Sequence, residues 1–224
     1  MKNIIRIIVV FASVMFSAQH LELGKDKINL ENFKMPFDVN SFYKKQLELN
    51  KKTTELLEQD KMDTPAYDKL LKQYKFVEGI KTIDVSDTKK LLLYEMKSIN
   101  TKDTLAFFGN VKFQKLEMIS NQKNEFQSLR AVSFSYKDNK KNYEHLKNIL
   151  VKKFGNPQKI DSDNFAEKEY FLWKTKDFVY ILSLKIETEK DVPKYYYSDL
   201  YIINGENFED LKMSFNKIYN YWNL

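Results

Sequence analysis

Between Leu129 and Ile186 the chain reads strand, helix, hard stop and two further strands, and no other stretch constrains the fold as tightly. From Arg130 to Tyr136 apolar and small polar residues alternate, with Val132, Phe134 and Tyr136 on one side and Ala131, Ser133 and Ser135 on the other. A period of two predicts a strand with one buried face. Asp138 or Asn139 then offers an N-cap oxygen to a helix whose apolar positions are Tyr143, Leu146, Ile149, Leu150 and Phe154. Lys141, Lys147 and Lys152 fall on its wet side, Gly155 suits the C-terminal cap, and Pro157 forbids continuation.

Beyond a polar loop, Tyr170–Trp173 and Phe178–Ile186 predict two strands. An even-numbered connection places Phe171 and Trp173 with Phe178, Tyr180, Leu182 and Leu184, and Tyr170 and Leu172 with Val179 and Ile181. Apolar residues on both faces mark a strand covered above and below, so Phe178–Ile186 is expected at the middle of the sheet.

The rest of the chain is read around this segment. Ser41 to about Lys61 is loosely helical, with Phe42, Leu47, Leu56 and Leu57 inward. Thr64 caps and Pro65 opens a second helix whose stripe is Tyr67, Leu70, Leu71 and Tyr74, closed by Gly79. Thr82–Val85, Leu91–Ile99, Val111–Ile119 and Tyr195–Ile203 read as strands. Val111 and Phe113 point opposite to Leu116 and Met118, a phase change that predicts a bulge. Asn204-Gly205 leads to a terminal helix with Phe208, Leu211, Phe215, Ile218, Tyr219 and Trp222 on one side. Strands that come in runs predict an α+β fold: an antiparallel, Tyr-rich sheet with helices packed against it. The chain divides into residues 1–18 and a single domain, 19–224, whose helical N-terminal part is about 41–78 and whose sheet-rich part is about 82–224.

Residues 1–18 have the pattern of a signal peptide: Lys2 and Arg6, a short apolar run, and Ala18 before Gln19. That run is shorter than the ~20 apolar residues of a spanning helix. The Phe16-Ser-Ala-Gln19 ending resembles export signals of flavobacteria and other Bacteroidota, which implies a mature chain in the periplasm or outside the cell, with no transmembrane segment. Cleavage there leaves 35 basic against 31 acidic side chains, a net charge of +4. Arg6 and Arg130 are the only arginines, and the 19 asparagines fit an A/T-rich codon bias. Phosphate recognition favours the arginine fork, so no specific nucleic-acid binding is expected. With no cysteine, an exported chain has no disulfides and must stand on its core.

Reaction chemistry is sparse. The histidines are His20, beside the cleavage point, and His145, off the apolar stripe of its helix. Glycines at Gly24, Gly79, Gly109, Gly155 and Gly205 are too far apart for a phosphate cradle. No catalytic residue and no cofactor is assigned. The aromatics Tyr170, Trp173, Tyr195, Tyr197 and Tyr201 crowd the C-terminal sheet, where interleaved lysines would let them stack on a protein or glycan partner. The leading expectation is therefore a non-catalytic exported binding module. The alternative is a periplasmic hydrolase, glycosidase-like or metal-dependent, using Asp161, Asp163, Glu167 or Glu169. Asp103-Thr104-Leu105 resembles the Asp-Ser/Thr-aliphatic O-glycosylation signal of Bacteroidota.

Overall fold

The computed structural model describes residues 21–73, 77–86, 89–97, 104–136, 140–160, 170–187 and 195–211. In chain order, a small sheet is built by β1 (Ile28–Asn29), β4 (Ala106–Phe108) and β5 (Val111–Phe113). The large sheet is built by β2 (Val77–Asp84), β3 (Lys90–Lys97), β6 (Lys115–Asn121) and β7 (Phe126–Tyr136), then β8 (Gln158–Ile160), β9 (Tyr170–Lys174), β10 (Phe178–Glu187) and β11 (Tyr195–Asn204). Its order is β2-β3-β6-β7-β11-β10-β9-β8, with every neighbouring pair antiparallel. The architecture is thus α+β, an antiparallel sheet with helices against it.

Pairing Tyr180 with Trp173 and Leu182 with Phe171 puts all four on one face, together with Phe178 and Leu184. Val179, Ile181, Leu172 and Tyr170 share the other. The strand is interior, but not central. The middle is β7 beside β11, joined from Tyr195 opposite Tyr136 to Ile203 opposite Ser128. β7 is also covered on both faces rather than one: Leu129 and Ala131 are buried on one side, Arg130 and Val132 on the other.

Helices pack on the first face. α3 (Lys141–Phe154) buries Tyr143, Leu146 and Leu150, and Ile149 and Phe154 pack at the margin. Full burial of each leucine contributes about 1.5–3 kcal/mol. Its N-cap is Lys140, which makes no side-chain capping bond; Asp138 and Asn139 lie outside the described residues. Gly155 ends the helix at φ +82°, a conformation that other residues rarely adopt.

α1 (Val39–Glu58) is capped by Asp38, whose Oδ1 accepts from the Ser41 N–H at 2.9 Å. Its buried stripe is Val39, Phe42, Tyr43, Gln46, Leu49 and Thr53, while Leu57 faces solvent and Leu47 is half-buried. Polar residues fit this stripe because they find hydrogen-bond partners: Thr53 Oγ1 donates to the Leu49 carbonyl one turn back at 2.8 Å, and Gln46 Nε2 donates across to the Gln73 carbonyl at the end of the next helix at 3.2 Å. α2 (Pro65–Gln73) starts at the expected Thr64 cap, but no residue of it is buried and Leu71 is exposed. Gly79 lies within β2, at a register shift, and does not close the helical region.

The phase change after Phe113 is not a bulge. It is the point where the chain leaves the small sheet (β5) for the large one (β6). With the phase reversed there, Val111, Phe113, Leu116 and Met118 all enter the same core.

Candidate functional site

The expected aromatic surface is divided by burial. Trp173 is 2% exposed and donates its indole N–H to the Gly155 carbonyl at 2.9 Å, tying β9 to the end of α3. Tyr201 is 1% exposed, and its hydroxyl donates to Asp199 Oδ2 at 3.4 Å. Both rings are core, and neither is available to a partner at the surface. Tyr170, Tyr195 and Tyr197 are half-buried. Lys185 Nζ stands 5.8 Å from the Tyr197 ring centre, and Phe134 lies 6.3 Å from the same ring.

Beside Tyr201 the second sheet face buries a charge cluster. Arg130 on β7 donates from Nη1 to Glu117 Oε2 on β6 at 3.2 Å and from Nη2 to Asp199 Oδ2 on β11 at 2.9 Å. Lys115 Nζ reaches Glu117 Oε1 at 2.5 Å. Burial by itself lowers the guanidinium pKa, but Asp199 first, then Tyr201 and Glu117, hold it above the ordinary arginine value. Burial, and then the Asp199 charge, push the Tyr201 phenol well above its ordinary value. Two cations face two anions, a balance of charge that suits a structural brace.

A more open site forms where strand ends meet. The start of β3, the end of β6, the start of β7 and the end of β11 lie at one end of the sheet, as their registers require. Three connections converge there and enclose a cleft of about 750 Å³: residues 35–40, the 121–127 turn and residues 204–207. The 121–127 turn is fixed by Asn121, whose Oδ1 accepts from the Lys123 and Glu125 N–H groups at 2.9 and 3.0 Å. Asn121 Nδ2 donates to Glu125 Oε2 at 2.6 Å, and Asn124 takes a positive φ of 64°. Asp38 bridges to Glu125, which seats residues 35–40 against the turn. At the third wall Asn204 Oδ1 accepts from the Glu206 N–H at 3.2 Å, and the Gly205 N–H donates to the Asp177 carbonyl at 2.9 Å. Phe37 lines one side, held in ring contact with Phe33, Phe42 and Phe126.

This cleft is not among the sites expected from the sequence. Its residues look like turn formers; the available signal was the recurrence of asparagine at strand ends, Asn121, Asn124, Asn204 and Asn207, with Asn40 opposite. Of the acids considered for a hydrolase, Asp161, Asp163, Glu167 and Glu169 lie outside the described residues, as do His20 and residues 1–18. His145 is exposed on α3. Among the described residues no group of three or more His, Asp or Glu side chains is placed to hold a metal ion, and no helix is long and apolar enough to cross a membrane. Thr104 is half-buried and Leu105 buried beside β5; Asp103 is outside the described residues.

Compared with protein-family models, curated proteins and solved structures, the chain matches none.

Proposed function

We propose that this is an exported, non-catalytic binding module whose ligand, a glycan or a segment of a partner protein, seats in the cleft at the strand ends. Export rests on the Lys2, Arg6 and Ala18 pattern at the N-terminus. The observation that carries the binding site is the convergence of three hydrogen-bonded connections on a concave space of about 750 Å³ whose lining is polar and apolar in equal measure. That size lies within the ~300–1,000 Å³ of small-molecule sites. The side chains of Asn40, Asn124, Asn204 and Asn207 line this space, and with the Asn124 and Asn204 Oδ1 atoms engaged, their Nδ2 groups are the remaining donors. The half-buried Tyr195 and Tyr197 on the sheet are the competing surface.

Amide-resolved NMR of the mature chain separates the two. Probes would be sugars, amino acids, phosphate and calcium chloride. Binding in the cleft moves the amides of 121–127 and 204–207. Shifts confined to 195–197 and Phe134 would transfer the site to the sheet face.

A further inference from the structure

Resting on the cleft as the binding site, we infer that its ligand is a neutral, hydroxyl-rich molecule of the saccharide class. Orientation of the amides comes first. Asn204 Oδ1 is occupied by the Glu206 N–H, so its Nδ2 is left as a donor. The Tyr94 hydroxyl donates to Asn124 Oδ1 at 3.3 Å, which leaves the Asn124 Nδ2 as a second donor. Acceptors stand among them: Glu125, braced by Asn121, and Glu206. A hydroxyl both gives and accepts a hydrogen bond, so neighbouring amide donors and carboxylate acceptors match it as they match no purely donating or purely accepting group.

Charge narrows the class further. Asp38, Glu125 and Glu206 line the cleft against Lys89 and Lys123, and Lys89 is engaged by Asp210 at 3.0 Å. The balance leans negative, which disfavours phosphates, sulfates and uronates. The same acids do not assemble a metal site. Finally, Phe37 is half-buried and fixed among three other rings, at 5.1 Å from Phe33, 5.6 Å from Phe42 and 6.2 Å from Phe126. It offers an apolar wall against which the C–H face of a sugar ring can lie, beside donors and acceptors for its edge.

The test is an amide-resolved NMR titration of the mature chain with maltotriose, cellotriose, triacetylchitotriose and mannotriose. Trigalacturonate, inorganic phosphate and calcium chloride serve as contrasting probes. At least one neutral trisaccharide should move the amides of 121–127 and 204–207 in a saturable way. N204D keeps the Oδ1 cap on Glu206 but replaces the donor with a carboxylate; it should weaken that sugar about tenfold at unchanged melting temperature, the fold-change of losing one well-made hydrogen bond. If phosphate, trigalacturonate or calcium moves those amides while no neutral sugar does, the cleft stands and the saccharide class is refuted. If every probe leaves 121–127 and 204–207 unmoved, the cleft reading is overturned with it.

Discussion

Replacing Arg130 should cost more stability than any other single change to a charged residue described here. Arg130 is 3% exposed, and its two terminal nitrogens reach carboxylates on both neighbouring strands, Glu117 at 3.2 Å and Asp199 at 2.9 Å. Arg130→Leu removes the cation and leaves both acids buried. Glu117 keeps Lys115 at 2.5 Å, whereas Asp199 keeps the Tyr201 hydroxyl at 3.4 Å. Breaking a buried pair by deleting one partner costs about 3–5 kcal/mol, because the remaining charge is uncompensated. With a urea slope of about 2 kcal/mol/M, the unfolding midpoint should fall by about 2 M. Arg130→Lys should fall by roughly half as much, since one ammonium cannot reach both acids with the geometry of a planar fork. The triple change Glu117→Leu, Arg130→Leu, Asp199→Leu should recover most of the loss, as apolar replacement of buried charges is often neutral or stabilising and Lys115, only partly buried, can turn to solvent. Equilibrium urea unfolding, followed by tryptophan fluorescence, measures all three. An Arg130→Leu midpoint within about 0.3 M of the parent, or a triple variant weaker than the single, would refute the claim that this cluster is a matched brace.

Two further outcomes follow from burial. Tyr201→Ala should destabilise by about 3–5 kcal/mol, by analogy with other large-to-small aromatic core changes, whereas Tyr197→Ala, at a half-buried site, should cost clearly less; thermal unfolding of the two variants decides it. Burial raises the phenols of Tyr43 and Tyr201 well above their ordinary value and that of Tyr180 to about 12. These folded-state values exceed the unfolded one of about 10, so stability is full below about pH 10 and is lost as pH climbs towards the folded values, while the unfolded chain sheds its protons first. Phenolate absorbance against pH should therefore show late-titrating tyrosines that ionise together with unfolding. Complete ionisation near pH 10 with the fold retained would contradict it.

What the sequence makes legible here is whatever depends on neighbours along the chain. The two-faced apolarity of Phe178–Ile186, the face shared by Phe171, Trp173, Tyr180 and Leu182, and the stop at Gly155 all follow from spacing of two or of about 3.6 residues. That same apolarity shows that a strand is interior without saying which strand is central. β7 occupies the centre while carrying Ser128, Arg130 and Ser133, polar residues that a buried strand tolerates only when partners come from the side. For Arg130 those partners lie 13 and 69 positions away, at Glu117 and Asp199, a distance that no periodicity reports. Trp173 and Tyr201 read as surface candidates for the same reason: an aromatic ring has one sequence signature for core and for contact. The cleft was hidden differently. Its asparagines were absorbed into the compositional excess of 19, although five of them meet at one end of the sheet.

The brace and the cleft share β7, and their separation along it has a consequence. Phe126 and Gln127 at the start of the strand line the cleft, while Arg130 sits further in and clamps β6 and β11, the two strands whose ends form the opposite walls. Lateral charge pairing braces those strands without using any group that lines the cleft. The turn at Asn121 is closed by its own side chain, and Asn204 by the Glu206 amide, so little of the site has to be ordered when a ligand arrives. Pre-ordering of this kind lowers the entropic cost of binding and lets modest polar contacts suffice. On the proposed binding role, the brace and the cleft draw on different side chains, Arg130 within β7 and Asn204 at the end of β11, which is why Arg130→Lys should shift the unfolding midpoint yet leave cleft affinity near its parent value, and N204D should do the reverse.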